Sequence, residues 1–201
     1  MASGRGNTLK GLLVPSTLTK KDFEDAYALM DTPALDGNCG DLCGRLCCQE
    51  YEPGVGIYLL PGEECMFTGS EDWLRWTYKD ARQHGFPPEW QGMVQFVMCK
   101  ATCPRDRRPI QCRTFPLMPY LDDLGELTVR IDTLTGSLVC PIVRNPDTYQ
   151  LRSDFRERVL EAWRILAKDP LIRLDIHLQS RRLDLDESSP WRKLLVRVVR
   201  A

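Results

Sequence analysis

Histidine is almost missing from this sequence: among 201 residues only His84 and His177 carry an imidazole. Any metal site here must therefore be built mostly or wholly from sulfur. Net charge is missing too. The balance of 27 Lys and Arg against 28 Asp and Glu leaves −1, so nothing global attracts nucleic acid, and no nucleic-acid partner is expected. Long apolar runs are also lacking. The run Leu12 to Val14 falls short of the about 7–15 apolar residues of a secretory signal. No run approaches the ~20 residues of a membrane span. The expectation is a cytoplasmic protein with no membrane partner, in a compartment that keeps thiols reduced.

Cysteine, by contrast, is plentiful and confined. Nine cysteines lie between positions 39 and 140, and none lies in the first 38 or last 61 residues. An odd count and the adjacent pair Cys47-Cys48 argue against a disulfide framework in a reducing compartment. Burial as small hydrophobes accounts for one or two of them. It accounts poorly for Cys39, Cys43, Cys47 and Cys48, four in ten residues interleaved with Gly40, Asp41, Gly44 and Arg45. Metal ligation is the better reading. The first half spaces its cysteines x3 and x3 before the pair, and the second half gives Cys99-x3-Cys103-x8-Cys112, then Cys140. Ligands close together on a loop converge on one ion when a distant segment closes the site. Thiolates favour Zn²⁺, Cu(I) or iron–sulfur clusters. Consecutive residues of an extended loop point to opposite sides, so Cys47-Cys48 suits two neighbouring ions, with Cys65 the spare of the nine. Arg105, Arg107, Arg108 and Arg113 surround the second half and would offset the negative charge of a four-thiolate centre.

The secondary-structure reading is mixed. Thr19 and Asp22 begin a helix whose Phe23, Tyr27 and Met30 share a face, closed by Pro33. A short strand is expected at Gly56 to Leu60, ending in Pro61-Gly62. Ser70-Glu71-Asp72 predicts a helix running to about Gln83, with Trp73 and Trp76 in the core. Met93 to Met98 reads as a strand delivering Cys99. Leu127 to Ile131 pairs with Ser137 to Cys140 as a hairpin through Thr135-Gly136. From about Asp147 the pattern is helical, through Leu151, Phe155, Val159, Ala162, Trp163 and Leu166, until Pro170 breaks it. Residues 171–201 are ambiguous, with Leu194 to Val199 a terminal helix or a strand.

Several motifs resemble the YkgJ-like cysteine-cluster family, described as zinc- or iron-chelating proteins. They are Cys39-Gly40 to Cys47-Cys48, Leu59-Leu60-Pro61-Gly62-Glu63-Glu64, Cys103-Pro104, Arg108-Pro109-Ile110-Gln111-Cys112-Arg113-Thr114-Phe115-Pro116-Leu117 and Cys140-Pro141. The resemblance covers roughly residues 36–143. It implies Cys39, Cys43, Cys47, Cys48, Cys99, Cys103, Cys112 and Cys140 as metal ligands. Many members carry C-x2-C as the first pair and a wider second gap, whereas both are x3 here, and which sulfurs share an ion stays open. Flagellin lysine methylases share the cysteine pattern. Yet no Gly-rich loop follows a strand to hold S-adenosylmethionine, and Cys39, Cys43 and Cys47 miss the C-x3-C-x2-C radical motif by one residue.

Other chemistry is weaker. His84 reads as a surface residue at a helix end, and His177 as one on a polar face. Glu63-Glu64 reads as a solvated turn, Asp122 and Asp123 as an exposed turn, and Glu157 to Arg164 as a charged solvent face. Glu50 and Glu52 are the nearest carboxylates for a fourth metal position. The expectation is an α+β fold with long loops organised around a cysteine-rich metal site. An N-terminal helical segment spans 1–35, the cysteine-rich core 36–146 and a C-terminal helical segment 147–201, all in one domain. The function expected is binding of one or two zinc or iron–sulfur centres. The alternatives are an iron–sulfur enzyme or electron carrier acting on another protein, methylase-like, and a metal-delivery module. Whether the chain is an enzyme stays open.

Overall fold

The computed structural model describes residues 12–37, 39–42, 44–48, 56–100 and 104–189. Helices and small antiparallel sheets alternate, giving a mixed α+β architecture. In chain order the helices are α1 (Lys20–Leu29), α2 (Ile110–Thr114), α3 (Thr133–Val139), α4 (Pro141–Arg144), α5 (Ser153–Leu166) and α6 (Pro170–Ser188). The strands are β1 (Ile57–Tyr58), β2 (Leu74–Asp80), β3 (Met93–Cys99), β4 (Leu117–Leu121) and β5 (Leu127–Ile131). No helix among the described residues is long and apolar enough to cross a membrane.

Helix α1 starts where its capping box sets it. The Thr19 hydroxyl accepts from the Asp22 N–H, and the Asp22 carboxylate accepts from the Thr19 N–H at 2.8 Å. Its face of Phe23, Ala26, Tyr27 and Met30 packs on Phe155, Val159, Ala162 and Trp163 of α5. Ile110, Leu117, Leu121 and Val129 close the same cluster from below, and Ile172 and Ile176 of α6 complete it. The N-terminal helix, the middle of the chain and the C-terminal helices thus bury their apolar faces together.

Two expected elements are replaced. The segment after Ser70 is a strand, not a helix. The Glu71 carboxylate accepts from the N–H groups of Thr68 and Gly69 and from the Thr68 hydroxyl, closing a local turn behind itself. Trp76, Thr77 and Tyr78 then suit a pleated surface, and β2 pairs antiparallel with β3 from Leu74↔Cys99 to Asp80↔Met93. Strand β1 adds on the other side through Ile57↔Val97, giving the order β1-β3-β2. The hairpin partner of β5 is β4, in the register Leu117↔Ile131 to Leu121↔Leu127. Residues expected as its second strand form α3 instead, because Asp132 caps them by accepting from the Thr135 N–H at 2.9 Å.

Pro170 begins a helix rather than ending the pattern. It occupies the first turn of α6, where no N–H is needed, and Asp169 is the cap. One Asp169 oxygen accepts from the N–H groups of Leu171 and Ile172. The other accepts from the Thr17 N–H at 2.6 Å and from the hydroxyls of Ser16 and Thr17. Residues before α1 also bridge to β3, where Leu12 and Val14 exchange backbone hydrogen bonds with Met93. Gly92 permits this approach, since a Cβ there would stand 2.5 Å from the Leu12 carbonyl oxygen.

Candidate metal centre

The cysteine loop is not a regular helix. It folds as two short 3₁₀ turns, Cys39–Leu42 and Leu46–Cys48, joined by a reversal. Gly44 and Arg45 both take left-handed conformations, with φ of 58° and 62°. The Arg45 N–H closes the reversal by donating to the Gly40 carbonyl at 2.9 Å. The second half is delivered by α2, which carries Cys112, and by the junction of α3 and α4, where Cys140 precedes Pro141.

Four sulfurs from these segments line one pocket: Cys39, Cys47, Cys112 and Cys140. Met30, Ala34, Phe115 and Ile142 supply its apolar wall, and Arg105, Arg108 and Arg113 its charged one. Cys140 is buried, Cys39 and Cys112 are half-buried, and Cys47 is exposed. Burial raises the Cys140 thiol above its usual value, the N–H groups of Val143 and Ile142 oppose that, and the charges of Cys47 and Cys39 add to the rise.

The arginines are held in place by backbone. Arg105 donates to the Thr32 carbonyl at 3.1 Å. Arg113 donates from Nε to the Arg108 carbonyl at 2.9 Å and from Nη2 to the Asp106 carbonyl, and its guanidinium lies 4.3 Å from the centre of the Tyr27 ring. Burial lowers the Arg113 pKa, against the raising influence of Tyr27, Asp31, Asp106 and Glu63.

Glu63 is the residue the sequence concealed. Instead of a solvated turn it is fully buried, 0% exposed. Its Oε1 accepts from the Tyr27 hydroxyl at 2.6 Å and from the Ile110 N–H at 2.7 Å, and its Oε2 from the Leu60 N–H at 2.9 Å. Burial raises its pKa, and these three donors oppose the rise. Pro61-Gly62 between two leucines and a glutamate is the only signal that marked it, because the turn must carry Gly62 at φ 87° against Ser16 and Phe23.

The other predicted ligands fall elsewhere. Cys99, at the end of β3, packs with Leu59, Trp73, Leu74 and Val97 in a separate cluster and does not line the pocket. Cys43 and Cys103 lie outside the described residues, as does the side chain of Cys48. Glu50 and Glu52 lie outside them too. Cys65 packs against the main core away from the pocket. His84 and His177 are both exposed. Among the described residues, no three His, Cys, Asp or Glu side chains stand close enough as placed to hold a metal ion. The pocket lining nonetheless combines four cysteines and three arginines with no histidine. No protein-family profile, curated protein or solved structure matches this chain.

Proposed function

We propose that the chain is a metal-binding protein of the YkgJ-like cysteine-cluster kind, whose pocket takes zinc or an iron–sulfur cluster. Cys39, Cys47, Cys112 and Cys140 would hold one centre, and Cys43, Cys48, Cys99 and Cys103 are the ligands left for a second. The observation that carries the reading is the lining of one pocket by four cysteines drawn from three segments up to 101 positions apart, 39 to 140. Two further features support it. Arg105, Arg108 and Arg113 face the same space, where they would neutralise part of a thiolate centre's charge. The division of the adjacent pair, with Cys47 given to this pocket, leaves Cys48 for the neighbouring set.

When bound, zinc would supply a closed structural crosslink, and an iron–sulfur cluster would supply one-electron chemistry. The exposure of Cys47 favours keeping the second reading, an iron–sulfur enzyme or electron carrier acting on another protein, because an exposed ligand brings the centre near a partner. The deciding experiment is elemental analysis with an absorption spectrum on protein purified without oxygen. About two zinc ions per chain in a colourless solution would fit two four-sulfur sites. Iron with labile sulfide in a brown solution would support the second reading. Serine at Cys39, Cys47, Cys112 or Cys140 lowers the metal content in either case, and serine at Cys65 does not. A chain that holds neither zinc nor iron, and gains none on reconstitution, sinks the proposal.

A further inference from the structure

The Cys112 thiol is carried by a very short helix. α2 spans five residues, Ile110–Thr114, and no side chain caps its N-terminus from Pro109. A five-residue helix has little stability of its own, so its orientation must be imposed by contacts. One of those contacts, beside the burial of the Ile110 side chain, is Glu63. Its carboxylate accepts the N–H of Ile110, the first residue of α2 and two before Cys112, at 2.7 Å. The same carboxylate is anchored by the Tyr27 hydroxyl from α1 and the Leu60 N–H from the turn before it. Tyr27 in turn supports Arg113, the residue after Cys112, whose guanidinium rests on the ring at 4.3 Å and which lines the thiol pocket. The two residues that flank the sulfur's helix turn, one at each side, are thus both tied through the Glu63–Tyr27 pair.

From this geometry we infer that Glu63 is a positioning residue for the metal centre, fixing the rotation of α2 so that Cys112 and Arg113 face the cysteine pocket. The inference rests on the metal reading above for what Cys112 does, but the orienting contact is independent of it. No other side chain serves as well. A carboxylate offers two acceptor oxygens to three donors, whereas the amide introduced by Glu63→Gln would turn an NH₂ against either the Leu60 N–H or the pair Tyr27 O–H and Ile110 N–H. The buried site thus requires an acceptor-only group.

The test compares Glu63→Gln, Tyr27→Phe and Ser180→Ala. The last is a control away from the pocket: Ser180 is fully buried and accepts from the Leu121 N–H at 2.9 Å, so its loss also orphans a buried backbone donor. Tyr27→Phe removes the hydroxyl but keeps the ring under Arg113, and it remains informative if Glu63→Gln folds poorly. Two readouts are taken at matched stability. The first is Zn²⁺ affinity by chelator competition, with the thiolate charge-transfer band of Co²⁺. The second is the alkylation rate of Cys112 in metal-stripped protein, relative to Cys99 in the same chain.

The expected result is Zn²⁺ binding weakened by about 10- to 100-fold in Glu63→Gln, with a smaller loss in Tyr27→Phe. The Co²⁺ band shifts, and the Cys112-to-Cys99 alkylation ratio changes severalfold. Ser180→Ala lowers the melting temperature and leaves both readouts at their original values. If Glu63→Gln and Tyr27→Phe melt earlier but keep the original zinc affinity, cobalt band and alkylation ratio, Glu63 is structural only and the inference is overturned. If the unaltered chain takes up neither Zn²⁺ nor Co²⁺, the metal reading falls. The alkylation ratio then decides the positioning role alone, upheld by a change and overturned by constancy.

Discussion

The helical layer of α1, α5 and α6 and the cysteine half of the molecule are built on different principles. The helical layer buries large side chains that each pack on several others: Phe23, Phe155, Trp163 and Leu166 are at most 3% exposed. The cysteine half is made of 3₁₀ turns and helices of four, five and seven residues, each burying few side chains, Ile110 and Ile142 among them, and polar contacts add to their hold. Glu63 and Asp132 each hold a short helix by its backbone, and Arg105 and Arg113 donate to the loop carbonyls of Thr32 and Arg108. Apolar burial accumulates over length, so short elements gain little from it, and a bound ion would be the natural substitute. The difference teaches that two regions sharing one core can be held in different ways, one chiefly by apolar burial and the other in larger part by hydrogen bonds to short elements.

The largest effect expected is that of Phe155→Ala. Phe155 is fully buried between α1 and the β4–β5 hairpin, so its truncation should cost about 3–5 kcal/mol in chemical denaturation. Because Ile110 and Leu117 share that core, both regions should unfold together. Separate transitions would break the comparison, since the halves would then be independent. Metal removal comes next. Stripping with a chelator should expose the backbone of 39–48 and 104–144 to hydrogen exchange while α1 and α5 stay protected. Equal loss of protection everywhere would show that the helical layer cannot stand without the centre.

Asp169→Asn is expected to be smaller, about 1–3 kcal/mol, because buried donors lose a charged acceptor. The effect carries a pH signature. Burial pushes the Asp169 pKa up, but the donors of Thr17, Ile172 and Ser16 outweigh it and hold the carboxyl below its usual value. A depressed acid contributes its stability above its unfolded pKa and loses it as pH falls through the folded one. The difference in melting temperature between Asp169→Asn and the unaltered protein should therefore be full near neutrality and shrink below about pH 4. A pH-independent difference would show that the acceptor's shape, not its charge, matters. The smallest change is Cys65→Ala, expected to cost less than about 1 kcal/mol and to leave bound metal unchanged, measured by melting and elemental analysis. Loss of metal there would move Cys65 from the helical layer into the cysteine half.

The sequence was most legible where one local signal had no competitor. Thr19 and Asp22 form a capping box and nothing else, and the apolar spacing from Phe155 to Leu166 fits only a helix. It failed where one signal serves two structures. Ser70-Glu71 looks like a helix start, but the Glu71 carboxylate satisfies donors behind it rather than ahead. Pro170 looks like a stop but is a start once Asp169 caps it. Pro119 hid β4, since a proline inside a two-stranded ribbon reads against a strand. At the candidate site the cysteine spacing names the residue type but not the rotation of each turn. It therefore did not tell that Cys39, Cys47, Cys112 and Cys140 line one pocket while Cys99 packs elsewhere. Nor does any local pattern announce that a carboxylate will be buried: two of the three partners of Glu63 are 36 positions before it and 47 after.

The double grip of Asp169 has a mechanical consequence. Residues 16 and 17 are fastened to the start of α6, and residues 12 and 14 to the edge of β3, by a handful of hydrogen bonds. A load applied between residues 12 and 189 would meet these fastenings before it reached the interleaved side chains of the core. They would act as a fuse between the start of the described chain and the elements it is tied to, α6 and β3.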